Sequence, residues 1–193
     1  KPISSLVDIT NFITFDIGRP LHVFDASKLS GDLTIRMANQ DEKLLALDNK
    51  NYNLNKSILV IADENNPVSI AGVMGGEDSS CDENTTEIFI ESAYFDPQNI
   101  AISGRTLNIL SDARYRFERG IDPNYVNKGS DILTELVLGI CGGEVSEEEQ
   151  VGKIELTKKI IEFNCNKVLQ IGGVEINKTN QKDILLKLGF EVE

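Results

Sequence analysis

Residues 57–74 read SILVIADENNPVSIAGVM. The apolar runs at 57–63 and 67–74 are each about strand length. Glu64 to Pro67 between them is rich in turn-forming residues. Two strands with a turn between them are the simplest reading. Working outward, the runs at 33–38 (LTIRMA), 43–47 (KLLAL) and 87–95 (EIFIESAYF) are bounded by Gly, Asn, Asp or Pro and read as further strands, with another turn at Asn49 to Asn51. Residues 5–15 (SLVDITNFITF) are rich in β-branched and apolar residues until Gly18-Arg19-Pro20 breaks the pattern.

Helical signals come later in the chain. Asp122-Pro123 reads as an N-cap with Pro at the first helical position. Val126, Ile132, Leu133, Leu136, Val137 and Ile140 follow as an apolar stripe at three- and four-residue spacing, and Gly142-Gly143 closes the helix. Glu147-Glu148-Glu149 reads as a solvated linker. Beyond it the sequence predicts a strand-like 153–164, a short helix at about 165–171, Gly172-Gly173, and a helix from about 180 to 188 ending at Gly189. The expected class is α+β, with strands first and helices after. The expected division is a larger domain at 1–148 and a smaller unit at 149–193.

The 193 residues suffice for one sizeable core plus a small second one. Hydrophobic residues at 40% and charged residues at 26% argue against global disorder. The formal net charge of −12 repels phosphate on average, so any RNA contact must be local or supplied by another part of a larger assembly. Cys81, Cys141 and Cys165 form no C-x-x-C pair, which points to a reducing compartment. No apolar run reaches a membrane-spanning length, and no signal peptide opens the chain. The chain starts at Lys1 within structured-looking sequence, as expected of a segment of a longer protein.

Several residues could carry chemistry. His22 is the single histidine; it cannot build a multi-histidine metal site, and no G-x-S-x-G elbow is present. It is either a satisfied structural residue or a functional one. Ile70 to Glu77 (IAGVMGGE) is either a tight turn or a place where backbone approaches a ligand. Without a P-loop lysine or G-x-G-x-x-G, it is no nucleotide-phosphate loop. Glu91 falls on the same strand face as Phe89, and so faces either water or a pocket. Arg105, Arg114, Arg116 and Arg119 lie in a charge-dense stretch that forms either surface ion pairs or a phosphate clamp.

In order along the chain, VDITNF (7–12), GRPLHVFD (18–25), SIAGVMGGE (69–77), IFIESAYFDP (88–97), SGR (103–105), SDARYRFERGIDP (111–123) and ICGGE (140–144) resemble the B3/B4 domain of bacterial phenylalanyl-tRNA synthetase β subunits. The tail from about Lys153, ending LLKLGFEVE, looks like the start of the adjoining B5 domain, here a truncated winged-helix-like unit. The resemblance implies a β-rich α+β domain with mixed or antiparallel sheets and packed helices. It implies a cytoplasmic (αβ)2 enzyme whose α subunit carries the synthetic site, and a β-subunit site that hydrolyses tyrosine misattached to the 3′ end of tRNA-Phe. No synthetic-site motif is visible in this chain. The resemblance implies no cofactor or metal for this segment, with ATP and magnesium serving the whole enzyme. By position, His22, Asn11 and Thr10 match catalytic pocket residues. Glu91, Ala71, Gly72, Gly75, Ser111 and Ala113 match residues that hold the substrate. Lys1 falls where many members have an arginine near the tRNA end, and Ser111 where many have threonine; both are departures.

A mostly apolar synthetic pocket rejects an added hydroxyl by only roughly 100-fold, whereas a site that must pair the hydroxyl discriminates by roughly 10⁴. Under the resemblance Glu91 is the acceptor for that hydroxyl, the glycine loop holds the amino acid, and His22 and Asn11 orient the ester or the water. The isolated segment is expected to be weak or inactive. The rival expectation is a non-catalytic tRNA-binding or structural module of the synthetase.

Overall fold

The computed structural model describes residues 4–152 and 159–193 and divides into two units, Lys1–Gln150 and Val151–Glu193. The first unit opens with helix α1 (Ser5–Asp16). Strands β1 (His22–Asp25), β2 (Thr34–Met37), β3 (Lys43–Leu45), β4 (Asn51–Asn53), β5 (Leu59–Ala62), β6 (Pro67–Ile70), β7 (Met74–Gly75) and β8 (Ile88–Glu91) follow. Helices α2 (Pro97–Thr106), α3 (Asp112–Phe117) and α4 (Tyr125–Cys141) complete the unit. The strands form three open antiparallel sheets: β2-β5-β6-β7, the ribbon β1-β8, and the hairpin β3-β4. The α+β class with antiparallel sheets is therefore the observed one.

The order "strands first, helices after" is corrected by α1. Its residues are β-branched, which weakens helix propensity, but three contacts reverse the balance. Ser4 caps the first turn by accepting from the Val7 amide at 3.3 Å. The Thr10 and Thr14 hydroxyls donate back to the Val7 and Thr10 carbonyls at 2.9 and 2.8 Å, so neither buried hydroxyl is orphaned. Ile9 and Ile13 then bury against Val23 and Leu133. Two further helices were not expected, α2 before the charge-dense stretch and α3 within it. Asp96 caps α2, with Pro97 at its start, by accepting from the Asn99 amide at 2.9 Å, and Ser111 caps α3 by accepting from the Arg114 amide at 3.1 Å.

Helix α4 begins at Tyr125 rather than at Pro123. Asp122 closes a turn before it, accepting from the Asn124 amide through its side chain and from the Tyr125 amide through its carbonyl. Leu133 is fully buried, with Ile132, Leu136 and Val137 packed beside it, whereas Ile140 of the same stripe is exposed. Gly142, at φ 77°, ends the helix by donating to the Leu138 carbonyl.

The main core gathers Phe24, Leu44, Leu54, Ile58, Val60, Ile70, Phe95, Ile100 and Phe117. Truncating Phe24 to Ala would cost about 3–5 kcal/mol. Ribbon β1-β8 lies between this core and the α1/α4 cluster. Phe24 faces the first, and Val23, Ile88 and Ile90 face the second. A lone two-stranded ribbon is marginal in water, and packing on both faces is what holds this one.

The second unit carries α5 (Asn166–Gly172) and α6 (Lys178–Lys187). Asn177 caps α6 through the Asn180 amide at 2.8 Å, and buried Gln181 donates to the Ile176 carbonyl at 2.6 Å. Of the strand expected at 153–164, residues 153–158 lie outside the described residues, and 159–164 have no strand pairing. Among the described residues nothing supplies 159–164 with a ladder of backbone partners.

Candidate functional site

Strand pairing brings the single histidine to a carboxylate far away in sequence. β1 and β8 run antiparallel with His22 opposite Glu91 and Phe24 opposite Phe89, so all four side chains share one face. The imidazole meets the Phe24 ring edge-to-face, with centroids 4.4 Å apart. Its other wall is backbone: a Cβ built on Gly75 would lie 2.5 Å from His22 Cε1 and 2.7 Å from Nε2. Glycine is needed at 75 for this approach rather than for its backbone angle.

These neighbours remove water without replacing it. His22 Nε2 is buried and has no hydrogen-bond partner. Burial alone lowers the imidazole pKa to about 4, so the ring is neutral at pH 7. Burial likewise raises the Glu91 carboxyl to about 7, and no cation or donor among the described residues offsets it. Ser92, the next residue, points the other way and donates to the Val126 carbonyl at 2.6 Å, which fixes the end of β8.

The glycine run is a tight turn between β6 and β7. The Val73 amide donates to the Ile70 carbonyl at 2.9 Å, and Gly72 sits at φ +64°. The turn is tied to α3, because the Ser111 hydroxyl donates to the Val73 carbonyl at 2.6 Å. Ala71 is fully buried and Ala113 packs against the same core. A Cβ on Gly72 would meet Phe95 and Ile100 at 2.9 Å, so this part of the turn faces the core.

The structure thus sets His22 opposite Glu91 and against Gly75, and links Ser111 to the turn that carries Gly75. It does not bring Thr10 and Asn11 into that group. The Thr10 hydroxyl is engaged within α1, and Asn11 is exposed. Lys1 lies outside the described residues. Open depressions among the described residues include the following two. One of about 300 Å³ is lined by Ile17, Arg19, Asp122 and Tyr125; one of about 430 Å³ is lined by Ser111, Arg114, Tyr115 and Arg119. His22 and Glu91 line neither. Among the described residues no group of three His, Cys, Asp or Glu could hold a metal ion, and no helix is long and apolar enough to cross a membrane.

Phe24 and Leu47 escaped the sequence reading. Phe24 supplies the apolar wall of His22, and strand alternation from His22 would have found it. Leu47 abuts the same Gly75 position at 3.1 Å and carries no sequence signal for this. The arginine cluster forms ion pairs: Arg114 and Arg119 with Glu118, both at 2.9 Å, and Arg116 with Asp112 at 3.3 Å.

The family model of the B3/4 domain matches residues 1–142. The chain is 53% identical over 191 residues to the phenylalanine–tRNA ligase beta subunit of Mesorhizobium japonicum, covering 99% of this chain and 24% of that protein. It is 53% identical over 193 residues to that of Brucella abortus and 50% over 192 to that of Paramagnetospirillum magneticum, covering 100% of this chain and 24% of each relative. The chain therefore spans about a quarter of the length of the curated relatives it matches. Among solved structures it resembles an N-terminal fragment of the phenylalanyl-tRNA synthetase beta subunit from Pyrococcus horikoshii. That match has a TM-score of 0.50 at 16% identity over 97% of this chain and 56% of the other, a likeness of fold.

Proposed function

Because the chain belongs to the B3/4 domain family, we propose that it is the editing segment of a phenylalanine–tRNA ligase β subunit and hydrolyses tyrosine wrongly esterified to tRNA-Phe. The observation that carries this reading is His22, whose buried Nε2 has no partner, packed against Gly75 and standing opposite Glu91 across β1-β8. A buried carboxylate with no partner is costly unless a ligand donor completes it. The phenol of tyrosine is such a donor; phenylalanine is not. With its pKa near 7, Glu91 is largely ionised at slightly alkaline pH and accepts that hydrogen bond.

The reaction needs little more than placement. A water oxygen adds to the ester carbonyl carbon. The tetrahedral intermediate then expels the ribose oxygen, which takes a proton, leaving free tyrosine and tRNA-Phe. His22, neutral and with Nε2 unpaired, is suited to orient the water. Asn11 and Thr10 of α1, which stand apart from the group of His22 and Glu91, are assigned to the ester end by the family resemblance alone. The backbone at Ala71, Gly72 and Gly75 holds the amino acid, with Ser111 and Ala113 behind the turn. Neither Ser111 nor Ser92 is free to act as a nucleophile, since each hydroxyl donates to a main-chain carbonyl at 2.6 Å. Trapping an acyl-enzyme on either serine would overturn the water mechanism.

The setting follows from the same reading: a cytoplasmic (αβ)2 enzyme, the tRNA-Phe 3′ end entering near Lys1, and ATP and magnesium serving the α-subunit reaction rather than this segment. Residues 149–193 are the start of a B5-like domain. The test is deacylation of Tyr-tRNA-Phe and Phe-tRNA-Phe by the full enzyme, unsubstituted and Glu91→Ala. Loss of the preference for the tyrosyl ester is the expected result; an unchanged preference places the selector elsewhere. The second reading, a non-catalytic module, is favoured by one observation: the pair lines neither open depression. It predicts that the unsubstituted enzyme fails to deacylate at all.

A further inference from the structure

The two residues that face each other in the proposed site stand at the open end of a two-stranded ribbon. His22 is the first residue of β1 and Glu91 the last of β8. Residues 92–96 carry no regular secondary structure, so among the described residues no backbone ladder continues beyond Glu91. Unsupported strand ends fray. Side chains take over from the ladder here. The Ser92 hydroxyl donates to the Val126 carbonyl of α4 at 2.6 Å. Arg19 Nη1 donates to the Ala93 carbonyl at 2.8 Å, and Nη2 to the Asp122 carbonyl. Arg19 comes three residues before His22 along the chain, and Ala93 two residues after Glu91, so this one side chain spans the open end of the ribbon. Gly129 of α4 makes room for it: a Cβ there would lie 2.9 Å from Arg19 Cγ and 3.4 Å from Ser92 Oγ.

Keeping Arg19 buried costs the fold. It is 2% exposed, and its hydrogen-bond partners are carbonyls rather than carboxylates. Burial lowers its pKa, and the nearby charge of Asp122 only partly opposes that. Buried charges contribute weakly to stability, and apolar side chains of similar volume often serve a fold as well. What a guanidinium supplies that they cannot is several directed donors on one rigid plane. Here two of those donors join the segment after Glu91 to the segment before α4, while the Arg19 main chain runs through Pro20 and Leu21 into His22. We propose that Arg19 is a positioning residue: a clasp across the open end of β1-β8 that fixes the separation of His22 and Glu91. That the clasp positions a selector rests on the editing reading; the clasp itself rests on the geometry.

The test makes Arg19→Met and Arg19→Lys in the full enzyme and takes two readings. The first is amide hydrogen exchange. Residues 20–23 and 90–93 should exchange roughly tenfold faster than in the unsubstituted enzyme, while β5 is unchanged. The second is the ratio of kcat/KM for Tyr-tRNA-Phe over Phe-tRNA-Phe. In Arg19→Met it should fall by roughly 10- to 100-fold, the scale of a group misplaced by about 1 Å. Arg19→Lys, which keeps the charge but not the planar pair of donors, should lose less. In Arg19→Met/Glu91→Ala the ratio should fall no further than in Glu91→Ala alone, because Arg19 acts through Glu91. Gly129→Ala, which crowds the Arg19 stem, should reproduce the effect more weakly. Ile58→Val, a core truncation outside the ribbon, should lower stability and leave the ratio unchanged. Unchanged exchange at the ribbon end overturns the clasp whatever the activity. So does a loosened end with an intact ratio, or a double variant whose losses add. An unsubstituted enzyme that deacylates neither ester sinks the editing reading alone, and the exchange result then decides the clasp.

Discussion

The two ends of ribbon β1-β8 bury polar side chains in opposite ways. At one end Asp25, opposite Ile88, is 3% exposed and fully served: its carboxylate accepts from the Ser27 amide at 3.0 Å, the Ser27 hydroxyl at 2.6 Å and the Thr85 hydroxyl at 2.7 Å. The hydrogen bonds from Ser27, then Thr85, hold its pKa below the usual carboxylate value. At the other end His22 meets the Phe24 ring and the bare backbone of Gly75, and burial pushes both His22 and Glu91 toward their neutral forms. Only two residues of β1, Val23 and Phe24, separate the two situations. Asp25 is followed two residues on by a serine that can turn back to it; His22 is followed two residues on by a phenylalanine that cannot. A buried polar group supplied from its own chain neighbourhood fastens the fold. One left unsupplied is available to a ligand.

Gly75→Ala is the sharpest way to break the comparison, because the new methyl falls within van der Waals reach of the His22 ring. Hydrolysis of the tyrosyl ester by the full enzyme should fall on the order of 100- to 1,000-fold, the cost of misplacing groups around a reacting ester. Retention of full activity would show that the ring position is immaterial. Asp25→Asn tests the satisfied end. The Tm should drop by roughly 3–6 °C while the preference for the tyrosyl over the phenylalanyl ester is kept. A selectivity change there would erase the distinction between the ends.

The unsatisfied end also carries a pH signature. Unfolded, His22 titrates near 6.5 and Glu91 near 4.5; folded, they titrate at about 4 and about 7. Between about pH 4.5 and 6.5, folding therefore releases a proton from His22 and takes one up at Glu91, and the two dependences of stability cancel. In Glu91→Gln only the histidine dependence remains. Its stability should rise from about pH 4 to 6.5, by on the order of 1–3 kcal/mol, where that of the unsubstituted chain stays nearly level. In His22→Gln only the carboxyl dependence remains, and stability should fall between about pH 4.5 and 7. Denaturant melts across this range read both directly; parallel curves for all three chains would contradict the burial of the pair. Smallest of all, Thr85→Val removes one donor from Asp25 and should cost about 1 kcal/mol without altering either pH curve.

Much of the fold was legible because its signals are local. The runs at 57–63 and 67–74 became β5 and β6 around the turn that Glu64 to Pro67 announces, and Gly142 ended α4 where expected. Helix α1 was not legible: Ile9, Thr10, Ile13 and Thr14 look like strand residues until Ser4 caps them and Leu133 covers them. Helix α3 was masked by its charges and α2 by its shortness and its mixed polar sequence, although Asp96-Pro97 and Ser111 were available as start signals.

The sequence by itself determined the caps, turns and apolar runs, the acidic balance, and the glycine without which nothing could approach the turn at position 75. These depend on residues a few positions apart, so they can be read from neighbours. Only the tertiary structure decided that His22 stands opposite Glu91, that Gly75 closes over its ring, and that Phe15 of α1 lies under Arg116 of α3. The physical reason is that desolvation and stacking are set by groups that surround a side chain in space. Here those groups come from strands and helices far apart along the chain.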